Sequence, residues 1–198
     1  MSGGTASILG NATQLGFVVR DIRAAMAHWT EVMNVTPFLY MEKGNGWPAP
    51  PTLHRGVEVE VRTRVAFAFM GDVEIELIEQ VNDASSPYRD FLAAGSEGLH
   101  HLGFWVPDAA LACAKVEAAG YVLDYEIPVG QPQSINYYRS PRSFGPMLEI
   151  VPGIWRQSRQ AVLDTCRAWT GGDPILRYES YAEFRKGARV TFEDPKGG

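Results

Sequence analysis

The chain has 198 residues, enough for one or two compact domains with a real core. Hydrophobic residues make up 45% and charged residues 21%, and the net charge of −5 leaves no broad basic face for a nucleic-acid backbone or an anionic membrane. Those two classes of partner are excluded. Cys113 and Cys166 are widely separated in segments of helical pattern, so no disulfide framework is expected and a reducing compartment fits. Met1–Asn11 lacks a basic region followed by an apolar run, and no stretch reaches the roughly 18 uninterrupted apolar residues of a membrane span. The expectation is a soluble, cytoplasmic protein. Asn11-Ala12-Thr13 matches a glycosylation sequon without any secretory context.

The first predicted element is the apolar, β-rich run Gln14-Leu-Gly-Phe-Val-Val-Arg-Asp21, closed by an aspartate suited to cap a helix. A helix over Ile22–Val32 follows, with Ile22, Ala25, Met26, Trp29, Val32 and Met33 on one stripe. Pro37–Met41 reads as a strand, and Glu42–Gly56, rich in Pro and Gly and carrying Trp47, His54 and Arg55, as a long connection. His54 and Arg55 have no assigned role, and His28 reads as helix surface. Strands follow at Arg64–Met70 and Val73–Glu79, joined by Gly71-Asp72, a two-residue connection suited to a tight hairpin. The linking segment Asn82–Gly98 contains a short helix near Pro87–Leu92.

His101-Leu-Gly-Phe-Trp-Val-Pro-Asp108 then opens a second series: a helix over Ala109–Ala119 with Leu111, Ala112, Lys115, Val116 and Ala119 on its stripe, and strands at Tyr121–Glu126, Ile135–Arg139 and Met147–Val151. Beyond Pro152, Trp155–Trp169 has helical spacing until Gly171-Gly172 stops it. Asp173–Gly198 carries mixed charge and would either pack as an arm across a partner subunit or fray.

Shifting the chain by 87 positions lays Gln14 on His101 and makes Leu, Gly, Phe, Val and Asp coincide along the two segments. Each half is strand, helix, then three strands. One such unit leaves a sheet face uncovered, and pairing two copies encloses it. The expected fold class is α+β: two βαβββ modules, about 12–81 and 99–152, form one cupped mixed sheet with helices outside. The paired domain spans 12–152, and a C-terminal helix and tail occupy 153–198.

The repeat also aligns polar residues. Gln14 and His101 open equivalent strands, and Ile75-Glu76-Leu77-Ile78 lies on Leu148-Glu149-Ile150-Val151. Equivalent inward positions converge on an approximate twofold axis, bringing two carboxylates, one imidazole and one amide oxygen together. A divalent cation would neutralise a buried carboxylate pair that otherwise costs several kcal/mol. This oxygen and nitrogen set suits one ion of Zn, Ni, Co, Mn or Fe, and six-coordination would leave two adjacent places for a chelating substrate. Glu74 and Glu79, beside Glu76, read as outward-facing. Trp105 shares the pleat face of His101 and reads as a pocket wall. Asn136, Tyr137, Tyr138 and Arg139 lie on a strand whose alternate residues face the cup, with Asn136 and Tyr138 as candidate substrate contacts.

At these residues the chain resembles the vicinal oxygen chelate superfamily, which includes glyoxalase I, methylmalonyl-CoA epimerase, extradiol dioxygenases and antibiotic-resistance proteins. The resemblance covers roughly Ala12–Pro152 and is most specific at Gly98-Leu99-His100-His101-Leu102-Gly103-Phe104 and Met147-Leu148-Glu149-Ile150. It implies metal ligands at Gln14, Glu76, His101 and Glu149, a homodimer, and a small-molecule substrate. Epimerases of the family generally have His at the first ligand place and Gln at the second. The Gln, Glu, His, Glu set here is instead like that of one glyoxalase I group.

The family epimerases also place a second Glu on the strand before Glu76, where Val65-Ala66-Phe67-Ala68-Phe69 offers no acid. The implied activity is that of a metal-dependent isomerase, epimerase or lyase, with proton transfer next to a carbonyl through a metal-stabilised enediolate. Glu149, then Glu76, are the implied catalytic carboxylates. Two alternatives stand beside it: an extradiol-type ring-cleaving dioxygenase, which would prefer two imidazoles and one carboxylate around iron, and a non-catalytic binding protein with an apolar cup.

Overall fold

The computed structural model describes residues 9–48, 51–130, 132–142 and 145–187. The segment Met1–Ile8, read above as lacking a leader pattern, and the tail beyond Gly187 lie outside the described residues. In chain order the first elements are β1 (Gln14–Val18), α1 (Ile22–Glu31), β2 (Phe38–Met41), β3 (Thr52–His54), β4 (Val57–Val59), β5 (Thr63–Met70) and β6 (Val73–Gln80). After α2 (Pro87–Ala93) come β7 (Gly98–Val106), α3 (Ala109–Ala118), β8 (Val122–Pro128), β9 (Ser134–Arg139) and β10 (Met147–Pro152). A 3-10 turn at Gly153–Trp155 leads into α4 (Arg156–Ala168), β11 (Ile175–Tyr178) and α5 (Tyr181–Gly187).

The strands form one mixed sheet ordered β11-β2-β5-β6-β1-β7-β10-β9-β8-β3-β4. Its centre is the antiparallel pair β1 and β7, where the two modules meet, with Gln14 opposite Gly103 and Gly16 opposite His101. Outward from this seam β1 pairs in parallel with β6, and β7 with β10, so the repeat seen in the sequence is a repeat of strand order. The aspartates ending both repeated segments cap their helices. Asp21 accepts from the backbone N–H groups of Arg23 and Ala24, and Asp108 from that of Leu111.

Both module helices cover the convex face. Ile22 and Met26 of α1 pack on Phe38, Tyr40, Ala66, Ala68, Ile75 and Leu77, while Ala112 and Val116 of α3 pack on Phe104, Tyr138 and Ile150. Val32 and Met33, placed on the α1 stripe by spacing, are exposed because the helix stops at Glu31, and Leu111 of α3 is exposed as well. The opposite pleat face forms the concave side and is filled at both ends. Tyr88 and Phe91 of α2 meet Val18, Ile78, Tyr125 and Tyr137 at one end, and Ala161, Val162 and Phe184 meet Leu39, Met41 and Phe67 at the other.

Two segments differ from the expectation. The connection Glu42–Gly56 contains β3, which with β4 forms a hairpin that crosses to pair with β8 of the second module. His54 and Arg55 hold it there: His54 Nδ1 lies 2.8 Å from Ser85 Oγ, and Arg55 bonds Asp90 and the buried Asp124. Within the described part of the C-terminal segment, β11 adds to β2 in parallel and α5 packs against Leu39 and Tyr178 of the same chain. The C-terminal helix α4 therefore lies on the concave face, whereas α1 and α3 lie outside. Among the described residues no helix is long and apolar enough to cross a membrane.

Candidate metal centre

The seam places the polar residues in two rows across the sheet. One row runs Glu76, Gly16, His101, and the other Gln14, Gly103, Glu149, each register partner beside the next. Each row holds one carboxylate, one glycine, and either the amide or the imidazole. Alternation along a strand sends all of these side chains to the concave face. The glycines make the rows possible: a Cβ built on Gly16 would lie 1.9 Å from Cε1 of His101, and one on Gly103 would lie 2.4 Å from Oε1 of Gln14.

Glu76, His101 and Glu149 are buried, and each offers one ligand atom within 4.8 Å of the others. His101 Nε2 lies 3.2 Å from Glu76 Oε2 and 3.6 Å from Glu149 Oε2. Gln14 is buried beside them, and its Oε1, like Oε2 of Glu149, is enclosed without a hydrogen-bond partner. Orphaned buried acceptors of this kind are rare unless something else occupies the space. Oxygen and imidazole donors converging on one point, with unsatisfied lone pairs, fit a borderline or hard divalent ion.

Burial dominates the electrostatics. It raises the Glu76 carboxyl to about 8. Glu149 is raised to about 7, burial being partly offset by His101 and by a hydrogen bond from Tyr137, while Glu76 pushes it further up. Burial likewise lowers His101, favouring the neutral imidazole that a metal requires.

A bulge in β7 adds His100 to this centre. Register shifts between Gly16 and Phe17, which face His101 and Leu99, so His100 is the unpaired residue and both imidazoles turn inward. Nδ1 of His100 lies 3.1 Å from Nδ1 of His101, and the His100 ring packs on Tyr88 and Phe91. For Nε2 of His101 to present a lone pair to an ion held among the carboxylates, its Nδ1–H would donate to His100, which in turn bonds the Pro87 backbone. Burial, then the neighbouring His101, keep His100 neutral by lowering it to about 3.

The centre opens onto a cavity of about 670 Å³. Trp105 lines it, with Arg159 of α4 over its ring at 5.6 Å. Asn136 and Tyr138 do not line it. They occupy the other pleat face, where Asn136 bonds Cys113 and Tyr138 bonds Glu117, both on α3. Ile135 and Tyr137 face the cavity instead, and Tyr88 donates to Tyr137 across 3.3 Å. The parity of a strand is set by its neighbours, and Tyr137 and Tyr138 offer a large ring to either face.

Glu74 also corrects the sequence reading. It is 2% exposed, lines the cavity, and lies 3.3 Å from Arg159 Nε, although the pair is not aligned as a hydrogen bond. Burial raises it well above the usual carboxyl range, with Arg159 opposing. Spacing carried the signal, because a residue two before an inward Glu76 faces inward too. Glu79, on the opposite face, pairs with Arg64 and accepts from the Ile22 N–H.

The sequence profile of the Glyoxalase/Bleomycin resistance protein/Dioxygenase superfamily matches residues 13–138. The chain belongs to that superfamily. No curated protein matches it. Among solved structures, methylmalonyl-CoA epimerase from Mycobacterium tuberculosis superposes with a TM-score of 0.53 at 17% identity, covering 79% of this chain and 95% of that one. A hypothetical protein from Bacillus halodurans C-125 gives 0.51 at 19% identity, covering 72% and 93%. A mutant of 4-hydroxymandelate synthase from Streptomyces coelicolor gives 0.52 at 14%, covering 72% of this chain and 38% of that one. At these identities the likeness is one of fold. Paired βαβββ modules forming one curved mixed sheet are thus common to this superfamily member and its neighbours.

Proposed function

We propose that this protein is a metal-dependent isomerase, epimerase or lyase of the glyoxalase type, moving a proton beside a carbonyl of a small molecule. The observation that carries the reading is the buried Glu76, His101 and Glu149 group, its ligand atoms within 4.8 Å, at the wall of a cavity of about 670 Å³. Gln14 Oε1 completes the proposed set of four. A bound divalent ion would supply Lewis-acid polarisation of two neighbouring substrate oxygens, which acidifies the adjacent C–H.

The chain's own residues would do the rest. Glu149 is the favoured proton carrier, because it faces the cavity and Tyr137 steadies its ionised form. Glu76 is the second. Both carboxyls are lifted toward neutrality, where a general base both accepts and returns a proton efficiently. Trp105 and Tyr137 would wall the reacting end, and His100 would fix the His101 ring. One imidazole among these donors departs from the two-imidazole, one-carboxylate set of iron oxygenases, which favours proton transfer over ring cleavage.

Solvent deuterium exchange tests the reading. Zinc- or nickel-loaded protein should incorporate deuterium at the C–H carbon next to the carbonyl of an accepted hydroxy acid or thioester, with Glu149→Gln slowing exchange by about 10²–10⁴-fold while retaining metal. Oxygen uptake on catechols by the iron-loaded protein, without proton exchange, would support the dioxygenase instead.

A further inference from the structure

The cavity is closed on one side by the C-terminal segment, which the family match does not reach. Trp155, Ser158, Arg159, Val162 and Tyr181 of this segment line it, opposite Tyr125 and Ile127 of the second module. The segment is tied down at several points. Arg159 bonds the carbonyls of Thr13 and Asp72, Arg167 pairs with Asp72, and β11 joins the sheet through β2. The neighbours from Mycobacterium and Bacillus, matched over nearly their whole lengths, leave roughly a quarter of this chain without a counterpart.

The cavity, partly open to solvent, is of the size that surrounds a drug-sized organic molecule, for which pockets run about 300–1,000 Å³. Its walls are rich in rings: Trp47, Trp105, Tyr125, Tyr137, Trp155 and Tyr181 all face it. Edge and face contacts with such rings favour an aromatic guest over an aliphatic one of equal area. Its cations are already engaged. Lys43 pairs with Glu179, Arg159 with Glu74, and Arg185 lies over the Trp155 ring.

Resting on the metal reading above, we propose that this site takes a compact aromatic compound bearing two neighbouring oxygens. The ring is enclosed between the second module and the α4–α5 cap, and the cap excludes long phosphate-bearing acyl thioesters. The oxygens face the Glu76, His101 and Glu149 end, and the ring lies toward Trp155 and Tyr181.

Tryptophan fluorescence titration of the full-length, zinc-loaded protein tests this with three probes: phenyllactate, lactate and methylmalonyl-CoA. Phenyllactate and lactate carry the same vicinal oxygens and differ by the ring. Phenyllactate should bind at least tenfold more tightly than lactate, and methylmalonyl-CoA no more tightly than lactate. Trp155→Ala should reduce the preference for phenyllactate over lactate at least fivefold, its melting curve reporting whether the cap stays folded. Equal affinity for phenyllactate and lactate, tightest binding of methylmalonyl-CoA, or no binding of any probe overturns the proposal. Zinc uptake, measured separately, reports on the metal reading alone. The ratio of phenyllactate to lactate, repeated on chelator-treated protein, reports on the ring pocket alone.

Discussion

Gly16 stands directly opposite His101 across the central strand pair, and a methyl group there would sit 1.9 Å from the imidazole Cε1. The same relation holds between Gly103 and Gln14, at 2.4 Å from the amide oxygen. The glycine shared by the two halves of the chain therefore leaves the space that the Gln14 or His101 side chain of the other half occupies. Gly16→Ala and Gly103→Ala should each weaken zinc binding by at least tenfold, because a displaced ligand cannot converge with the others. Overpacking of a tight interior costs about 1–3 kcal/mol, so both variants should still fold. Zinc titration beside a melting curve separates the two effects, and unchanged affinity in Gly16→Ala would contradict the geometry.

His100→Phe keeps the stacking on Tyr88 and Phe91 and removes the acceptor for the His101 Nδ1–H. Partners that orient a ligating histidine contribute about 10–100-fold in metal affinity. Zinc affinity should fall within that range with little change in melting temperature. A variant that binds zinc like the parent would show that His101 needs no such partner.

The paired carboxyls set a pH dependence. Burial holds Glu76 at about 8 and Glu149 at about 7, while unfolded Glu titrates near about 4.3. For a folded value raised in this way, the stabilising contribution is complete below the unfolded value and is lost as pH rises through the folded one. Ion-free protein should therefore melt at progressively lower temperature from about pH 5 to about pH 8. Zinc affinity should rise over the same window, since both ligands must lose their protons. A flat melting profile for ion-free protein would mean that the carboxyls are not buried together.

Arg159→Met leaves Glu74 without its cation in the cavity wall. Removing one partner of a buried pair costs about 3–5 kcal/mol, whereas replacing both by apolar or neutral groups is far milder. Denaturant unfolding should show Arg159→Met as the most destabilised protein and Glu74→Gln/Arg159→Met as partly restored. Additive losses in the double variant would argue against direct coupling.

The module architecture was legible because its signals are local and doubled. Asp21 and Asp108 both mark a helix start, and the shift that aligns Gln14 with His101 also aligns the strands on either side of the seam. The proposed ligand residues were visible for the same reason. What spacing could not supply was parity and long-range pairing. Nothing local decides whether Tyr137 or Tyr138 faces the cup, since strand neighbours fix that choice. Thr52–His54 forms a local hairpin with β4 but joins the sheet through β8, about seventy residues away, and spacing cannot show that second pairing. His100 turns inward only because a bulge interrupts the alternation that would have sent it outward.

The central claim is that Gln14, Glu76, His101 and Glu149 hold one divalent ion, and elemental analysis after dialysis against zinc measures it directly. The structure leads us to expect one zinc per chain, with His101→Ala and Glu149→Ala each losing it while remaining folded. A folded parent protein that takes up no zinc, nickel, cobalt, manganese or iron, or variants that take it up equally, would contradict the account.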